Sequence, residues 1–327
     1  MHAPFIAVTG SIAFDHIMNF PGRFKEHILP DKLHVLNVSF LVRDLRRLRG
    51  GCAANIAYAC ALHGLRPGLV AAVGSDFGEY GEWLASQGVD LKAVKTHSDL
   101  LTASCFITTD IDNNQITGFY PGAMSRAGDL PLPMGPPPAL VTISPNDPAA
   151  MRRYPEECRR RGLPFLYDPG QQVVALSGGE LREGLTGARL LVANDYELAV
   201  ICEKTGTSLR DLLELCEAVV VTLGENGSRI HQRGQDPIEI PAVPVREAVD
   251  PTGAGDAYRG GLIKGLLGSS DEARPLERSD WETAGRVASL TASYCVETRG
   301  TTGYHFTRES FAARFEAAFG VPAQAQV

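Results

Sequence analysis

Asp250-Pro251-Thr252-Gly253-Ala254-Gly255-Asp256-Ala257-Tyr258-Arg259-Gly260-Gly261 leads into a helical run that reads from Ala254 to Leu267. Small residues at 253 to 255 let a ligand come close to the backbone. A helix beginning there aims free N–H groups outward with the positive end of its dipole behind them, which attracts an anion. Asp256 in that first turn is also an ordinary helix-stabilising choice, since acids favour helix N-termini. A carboxylate beside an anion hole has a further use. It can take a proton from a hydroxyl while the N–H groups neutralise the phosphoryl oxygens that the hydroxyl attacks.

Upstream, short apolar runs alternate with helical patterns. Phe5 to Thr9 reads as a buried strand that breaks at Gly10-Ser11, Ala53 to His63 as a helix opened by Gly50-Gly51, Leu69 to Val73 as a strand, and Phe77 to Gln87 as a helix. Strands at Leu140 to Ser144, Pro164 to Tyr167, Ala188 to Ala193 and Val219 to Thr222 follow, with helical stretches between them. This alternation predicts βαβ units and a parallel sheet. Ser104 to Asp110 and Gln115 to Tyr120 read as a hairpin turning through Asp112-Asn113-Asn114, because Asn tolerates the left-handed conformation. Residues 32 to 48 have no clean period and fit one or two strands of a small sheet or a covering element. The five prolines between Asp129 and Ala139 mark an ordered surface crossing, and after Pro251 the pattern is helical at 254–267, 281–296 and 308–318. The tail from Val321 is expected to fray.

Composition narrows the class. With 44% hydrophobic and 21% charged residues among 327, the chain is not disordered. Its 31 basic against 38 acidic residues give −7, which argues against a nucleic-acid partner, whose phosphates need a clustered positive field. No run of about 18 apolar residues and no signal-peptide pattern is present, so no membrane partner and a cytoplasmic location are expected. Seven cysteines without a C-x-x-C pair suit neither a disulfide framework nor a zinc site, and buried packing is their default. The chain lacks G-x-x-x-x-G-K-[ST], and Gly10-Ser11 lacks G-x-G-x-x-G, which disfavours Walker-type ATPases and Rossmann dehydrogenases.

The segment Asp250 to Gly261 resembles the C-terminal signature of the ribokinase-like family, the phosphofructokinase-B class of sugar and nucleoside kinases. Three further matches occur in the family's order: Gly50-Gly51-Cys52-Ala53-Ala54-Asn55 with Val73-Gly74-Ser75-Asp76-Phe77-Gly78, then Asn194-Asp195-Tyr196-Glu197, then Thr222-Leu223-Gly224-Glu225-Asn226-Gly227-Ser228. Together they cover residues 5 to about 303. The resemblance implies one kinase domain over 1–327. Its fold would be a three-layer α/β/α Rossmann-like domain with a small β-sheet lid drawn from about 12–49 and 91–121. It implies Asp256 as general base, with Gly253, Ala254 and Gly255 forming the anion hole. Asp15, Gly50, Gly51 and Asn55 would belong to the sugar pocket, where a carboxylate suits two adjacent ribose hydroxyls. Asn194, Thr222, Gly224 and Gly227 would line ATP. Glu197 would organise Mg2+ through water, and Asp250 and Thr252 would stand at a possible K+ site closed by residues 296 to 303. Plainer readings stay open for several of these. Asn194 with Glu197 is a capping-box pattern, Gly50-Gly51 an ordinary helix entry, and the 224–227 glycines a strand-to-strand turn.

For the acceptor, three stretches look closest to adenosine kinases and the archaeal-type broad-specificity nucleoside kinases: Thr109 to Thr117, Tyr167-Asp168-Pro169-Gly170-Gln171, and Val296-Glu297-Thr298-Arg299-Gly300. Phe119, Tyr120 and Met124 form an apolar cluster after the hairpin that suits either a nucleobase or lid packing. Arg126 reaches a substrate or phosphate, or sits on the surface. The expectation is ATP-dependent phosphorylation of the 5′-hydroxyl of a purine nucleoside, adenosine first. The nearest rival is a kinase of ribose, fructose or a related sugar, and a non-catalytic nucleoside sensor is a third reading that the intact Asp256 disfavours. A homodimer paired through the lid is also expected.

Overall fold

A computed structural model describes residues 3–28, 34, 37–269 and 276–322. The readings of Lys32, Leu33, Val35 and Leu36 and of the last five residues of the tail fall outside the described residues. The strands are β1 (Phe5–Thr9), β2 (Ala13–Asn19), β3 (Leu45–Gly50), β4 (Arg66–Gly74), β5 (Asp90–His97), β6 (Ala103–Thr109), β7 (Gln115–Tyr120), β8 (Leu140–Ile143), β9 (Phe165–Tyr167), β10 (Leu190–Asn194), β11 (Ala218–Thr222), β12 (Ser228–Gln232) and β13 (Ile238–Ile240). The helices are α1 (Phe24–His27), α2 (Cys52–Leu62), α3 (Gly78–Ser86), α4 (Pro148–Arg161), α5 (Gly178–Leu185), α6 (Asp195–Thr205), α7 (Leu209–Leu212), α8 (Ala254–Ser269), α9 (Arg278–Val296) and α10 (Arg308–Phe319).

The main sheet runs β13-β12-β11-β10-β9-β8-β1-β4-β5, parallel from β11 to β5. β12 and β13 add an antiparallel hairpin at one edge. Period-two alternation divides its side chains between two helical layers. Ile6, Val8, Leu190, Val192 and Val220 pack with residues of α2, α8 and α9, while Ala7, Leu191, Ala193 and Val219 pack with α4, α5 and α6. Burial on both faces explains why these strands read as unbroken apolar runs. The fold is therefore the expected ribokinase-like α/β architecture, with a smaller second sheet, β3-β2-β6-β7.

That second sheet differs from its expected make-up in one respect. Residues 91–97, read as part of the lid, lie in β5, which pairs parallel with β4 at the edge of the main sheet. An edge strand is covered on few sides, so Asp90–His97 carries polar residues as a lid strand does, and composition alone does not separate the two. The lid proper is a parallel β2/β6 pair flanked by antiparallel β3 and β7. Its hairpin turns at Asn113, whose φ of 62° is the left-handed value the sequence called for.

Positioning of the site depends on how closely α8 lies against its neighbours. A Cβ at Gly260 would run into the Cβ of Ala59 on α2, and one at Gly265 would run into Ala284 on α9. Both replacements by Ala would overpack a rigid backbone contact. Gly260→Ala is expected to lower unfolding free energy by about 1–3 kcal/mol in a denaturant melt. A variant as stable as the parent would contradict the packing described.

Candidate active site

The C-terminal ends of the parallel strands and the first turns of α2, α6 and α8 meet at one edge of the main sheet, where open α/β sheets bind ligands. The chain leaves β1 at Gly10, and Ser11 stitches the entry of α2: its hydroxyl accepts from Cys52 N at 3.0 Å and its carbonyl from Ala53 N at 3.1 Å. Gly51 caps α2 at φ 96°, and a Cβ there would stand 2.6 Å from the Ser11 carbonyl. Gly50 lies against Asp15 so closely that a Cβ would collide with the carboxylate. Gly51 is thus the helix entry and Gly50 the surface on which Asp15 rests.

Asn55, 4% exposed, donates from Nδ2 to Asp256 Oδ2 at 2.8 Å. Its own Oδ1 is buried without a partner, an acceptor waiting for a hydroxyl. Asp256 stands in the first turn of α8, where the N–H groups of Gly255 and Asp256 have no hydrogen-bond partner among the described residues. Burial raises its pKa, opposed by the positive charge of Arg259 and the Asn55 amide. Gly253, at φ 82°, lies against Thr301. Asp250 clamps that loop, accepting from Thr252 N at 3.0 Å and from Gly300 N at 2.9 Å. Burial works against its charge, but these N–H groups outweigh burial and hold its pKa below the ordinary value.

Across the lid, register aligns Leu48, Asp15, Cys105 and Phe119 in one row, on one face of the sheet. Met124 packs on Ala13 and Ala103 at the foot of that face. Tyr120, grouped with Phe119 by its sequence position, is one residue further on and so points to the opposite face. Arg126 is held at the surface by Asp99, 2.6 Å away, and takes no part in the site.

At the neighbouring strand ends, Asn194 and Thr222 are paired in register. Asn194 and Glu197 form both halves of the capping box, at 2.7 and 2.8 Å, which leaves Glu197 Oε1 outside the cap. Glu197 also lies within electrostatic reach of Asp256. Gly224 and Gly227 make the turn from β11 to β12, so the strand-to-strand reading holds. Ser228 beside that turn bonds the hydroxyl of Tyr258 on α8 at 2.7 Å. Sequence reasoning missed Cys105, visible only through register, and the buried partners Arg259 and Asp168. A cleft of about 360 Å³ at the outer edge of β3, between Arg47, Arg49, Glu79 and Arg299, contains none of Asp15, Asn55 or Asp256.

A carboxylate beside free N–H groups of a helix's first turn can take a proton from a hydroxyl next to a bound anion. Residues 8–305 match the model of the pfkB family of carbohydrate kinases, and the chain belongs to that family. It is 36% identical over 301 residues to a nucleoside kinase of Methanothermobacter thermautotrophicus, covering 90% of each chain. The structure of a nucleoside kinase from Burkholderia thailandensis in complex with ADP-inosine superposes with a TM-score of 0.83 at 39% identity, covering 98% of this chain and 97% of that one. An ATP-dependent ribose-1-phosphate kinase of Halopiger xanaduensis is 30% identical over 278 residues, 80% of this chain and 89% of that one. The enzyme is a phosphotransferase.

Burial, with Asp256 and Asp250 nearby, pushes the Asp15 carboxyl up to about 6. Above that pH it is an anion able to accept from two hydroxyls, and below it one oxygen carries a proton. The acceptor KM is therefore expected to rise as pH falls through about 6, while Asp15→Asn has a raised KM with no such limb. Initial rates across pH 5 to 8 check this, and a pH-independent KM in the parent enzyme would contradict it.

Proposed function

We propose that the protein transfers the γ-phosphoryl group of ATP to the 5′-hydroxyl of a nucleoside, with purine nucleosides, adenosine and inosine, as preferred acceptors. What carries this reading is the lid row in which Phe119 shares a face with Asp15: a carboxylate for the ribose 2′- and 3′-hydroxyls and an aromatic wall for the base. Gly50, Gly51, Asn55 and Met124 complete the pocket. The relatives named nucleoside kinases, one of them described with ADP-inosine, support the acceptor class. A second reading, a small sugar or sugar phosphate as acceptor, draws on the relative named ribose-1-phosphate kinase, because Asp15 would serve a ribose with or without a base.

In the proposed reaction Asp256 takes the proton of the 5′-hydroxyl as its oxygen attacks the γ-phosphorus and ADP departs. The free N–H groups of Gly255 and Asp256, with Gly253 before them, face the charge on the transferring group, whereas the Ala254 N–H, expected among them, is given to the Pro251 carbonyl at 3.1 Å. Asn194, Thr222, Gly224 and Gly227 line the nucleotide. Glu197, with Oε1 outside its cap, fits a magnesium ion held through water, and charge neutralisation between the donor phosphates is what that ion supplies when bound. Both Asp250 oxygens already accept backbone N–H groups, so a potassium ion beside Thr252 would be held by carbonyls. Use of ATP to return free nucleosides to the nucleotide pool, purine salvage, is the reason to place the reaction in the cytoplasm.

The lid's other face carries Phe106, Ile116 and Tyr120, between 41% and 44% exposed. We read it as a homodimer surface, expected to give a dimer in sedimentation velocity that Phe106→Glu dissociates. A monomeric parent would refute it.

ADP release with Mg-ATP and potassium, measured across adenosine, inosine, guanosine, cytidine, ribose, ribose 1-phosphate and fructose, tests the acceptor. Turnover is expected on the purine nucleosides and absent on free sugars, with Asp256→Asn reducing kcat by about 10²–10⁴-fold. Turnover confined to ribose or its phosphate would sink the nucleoside claim, and full activity in Asp256→Asn would sink the mechanism.

A further inference from the structure

Arg259 follows Asp256 by three residues on α8 and so lies on the same side of the helix. Among the described residues it is the only Arg or Lys that is buried. Its side chain is 8% exposed and that of its partner Asp168, at the end of β9, 2%. Nη2 donates to Asp168 Oδ1 at 2.7 Å, and Nε stands 2.5 Å from Oδ2 as an ion pair without hydrogen-bond geometry. Burying such a pair costs desolvation that a well-packed apolar pair would avoid, so its presence beside the reacting turn calls for a use.

The geometry supplies one. Arg259 Nη1 would stand 2.8 Å from a Cβ on Gly255, so the guanidinium lies directly against the first turn of α8. The groups around Asp256 are largely acidic. Glu197 faces it from α6, and Asp15 from β2 is within electrostatic reach. Asp168 lies beyond Arg259, and Asp250 stands in the loop before α8. From α2 come only the Asn55 amide and the Cys52 thiol, which are neutral donors. Without Arg259 this cluster would hold no buried cation.

We propose that Arg259, anchored by Asp168, is a positioning residue that keeps Asp256 in its proton-accepting form and holds the first turn of α8 in place. The proposal rests on the reading of Asp256 as general base. Burial works against the Asp256 carboxylate, and Arg259 is the largest opposing influence. For the guanidinium itself, burial alone would weaken its charge, yet Asp168, Asp256 and Glu197 together raise its pKa, so it remains a cation at every working pH.

The test is the pH profile of kcat for ATP-dependent phosphorylation, measured with the whole chain at saturating inosine so that acceptor binding by Asp15 does not enter. Loss of the positive charge raises the pKa of Asp256, so the acid limb of Arg259→Met is expected to move up by roughly one pH unit. On the acid limb the activity falls by roughly tenfold, and it returns at higher pH. Arg259→Lys keeps the charge but not the planar guanidinium against the first turn, so its limb stays in place and only kcat falls. Breaking one half of a buried pair can unfold a protein, and Arg259→Met with Asp168→Asn removes both halves. In that double variant the limb still moves up, by less. Folded variants that lose activity equally at all pH values would show a merely structural role and overturn the proposal. Asp256→Asn in the same assay separates the two claims. If it is inactive while the Arg259→Met limb is unmoved, the base reading stands and this proposal falls. If it is active, both fall.

Discussion

The hydrogen bond from Asn55 to Asp256 joins two helices that begin side by side at the edge of the sheet. It forms only because α8 can lie in backbone contact with α2, with no side chain at Gly260 to hold them apart. From that contact the rest of the site follows. The start of α2 fixes Gly50 and Gly51, on which Asp15 rests, and the start of α8 fixes the free N–H groups of its first turn. The lid brings its carboxylate to the site through the same Gly-Gly junction, because β3 ends at Gly50 and α2 begins at Cys52.

Two opposed charges then set the chemistry. Asp256 and Asp15 are pushed toward their neutral forms by burial, and the charges of Asp256 and Asp250 push Asp15 further the same way. A site crowded with acids would bind phosphates poorly without compensation. The N–H groups at the start of α8 provide part of it, and the buried guanidinium of Arg259 provides a full charge close by.

Much of this could be read in the sequence because the informative residues are local. Gly253 to Asp256 form a helix start whose small side chains and acid are contiguous, and the buried strands of the main sheet are short apolar runs bounded by turns. What escaped depends on pairing at a distance. Arg259 and Asp168 are 91 positions apart, and neither sequence neighbourhood names the other. Tyr120 and Phe119 are adjacent in the chain and separated by the thickness of the sheet, a consequence of period two that a cluster of aromatics conceals. The resemblance places 91–97 in the lid, and the polarity of β5 does not correct it, because an edge strand and a lid strand share the same mixed pattern. The antiparallel β12 and β13 follow a glycine turn that reads equally as a phosphate-binding loop.

With Asp256 as the base, an acceptor hydroxyl sits between its carboxylate and the first turn of α8, and the sugar sits on Asp15. A crystal structure with inosine and a non-hydrolysable ATP analogue would show this arrangement. The 5′-oxygen is expected within about 2.6–3.2 Å of an Asp256 carboxylate oxygen, and the 2′- and 3′-hydroxyls on Asp15. A bound nucleoside whose 5′-oxygen lies away from Asp256, or whose ribose makes no contact with Asp15, would contradict it.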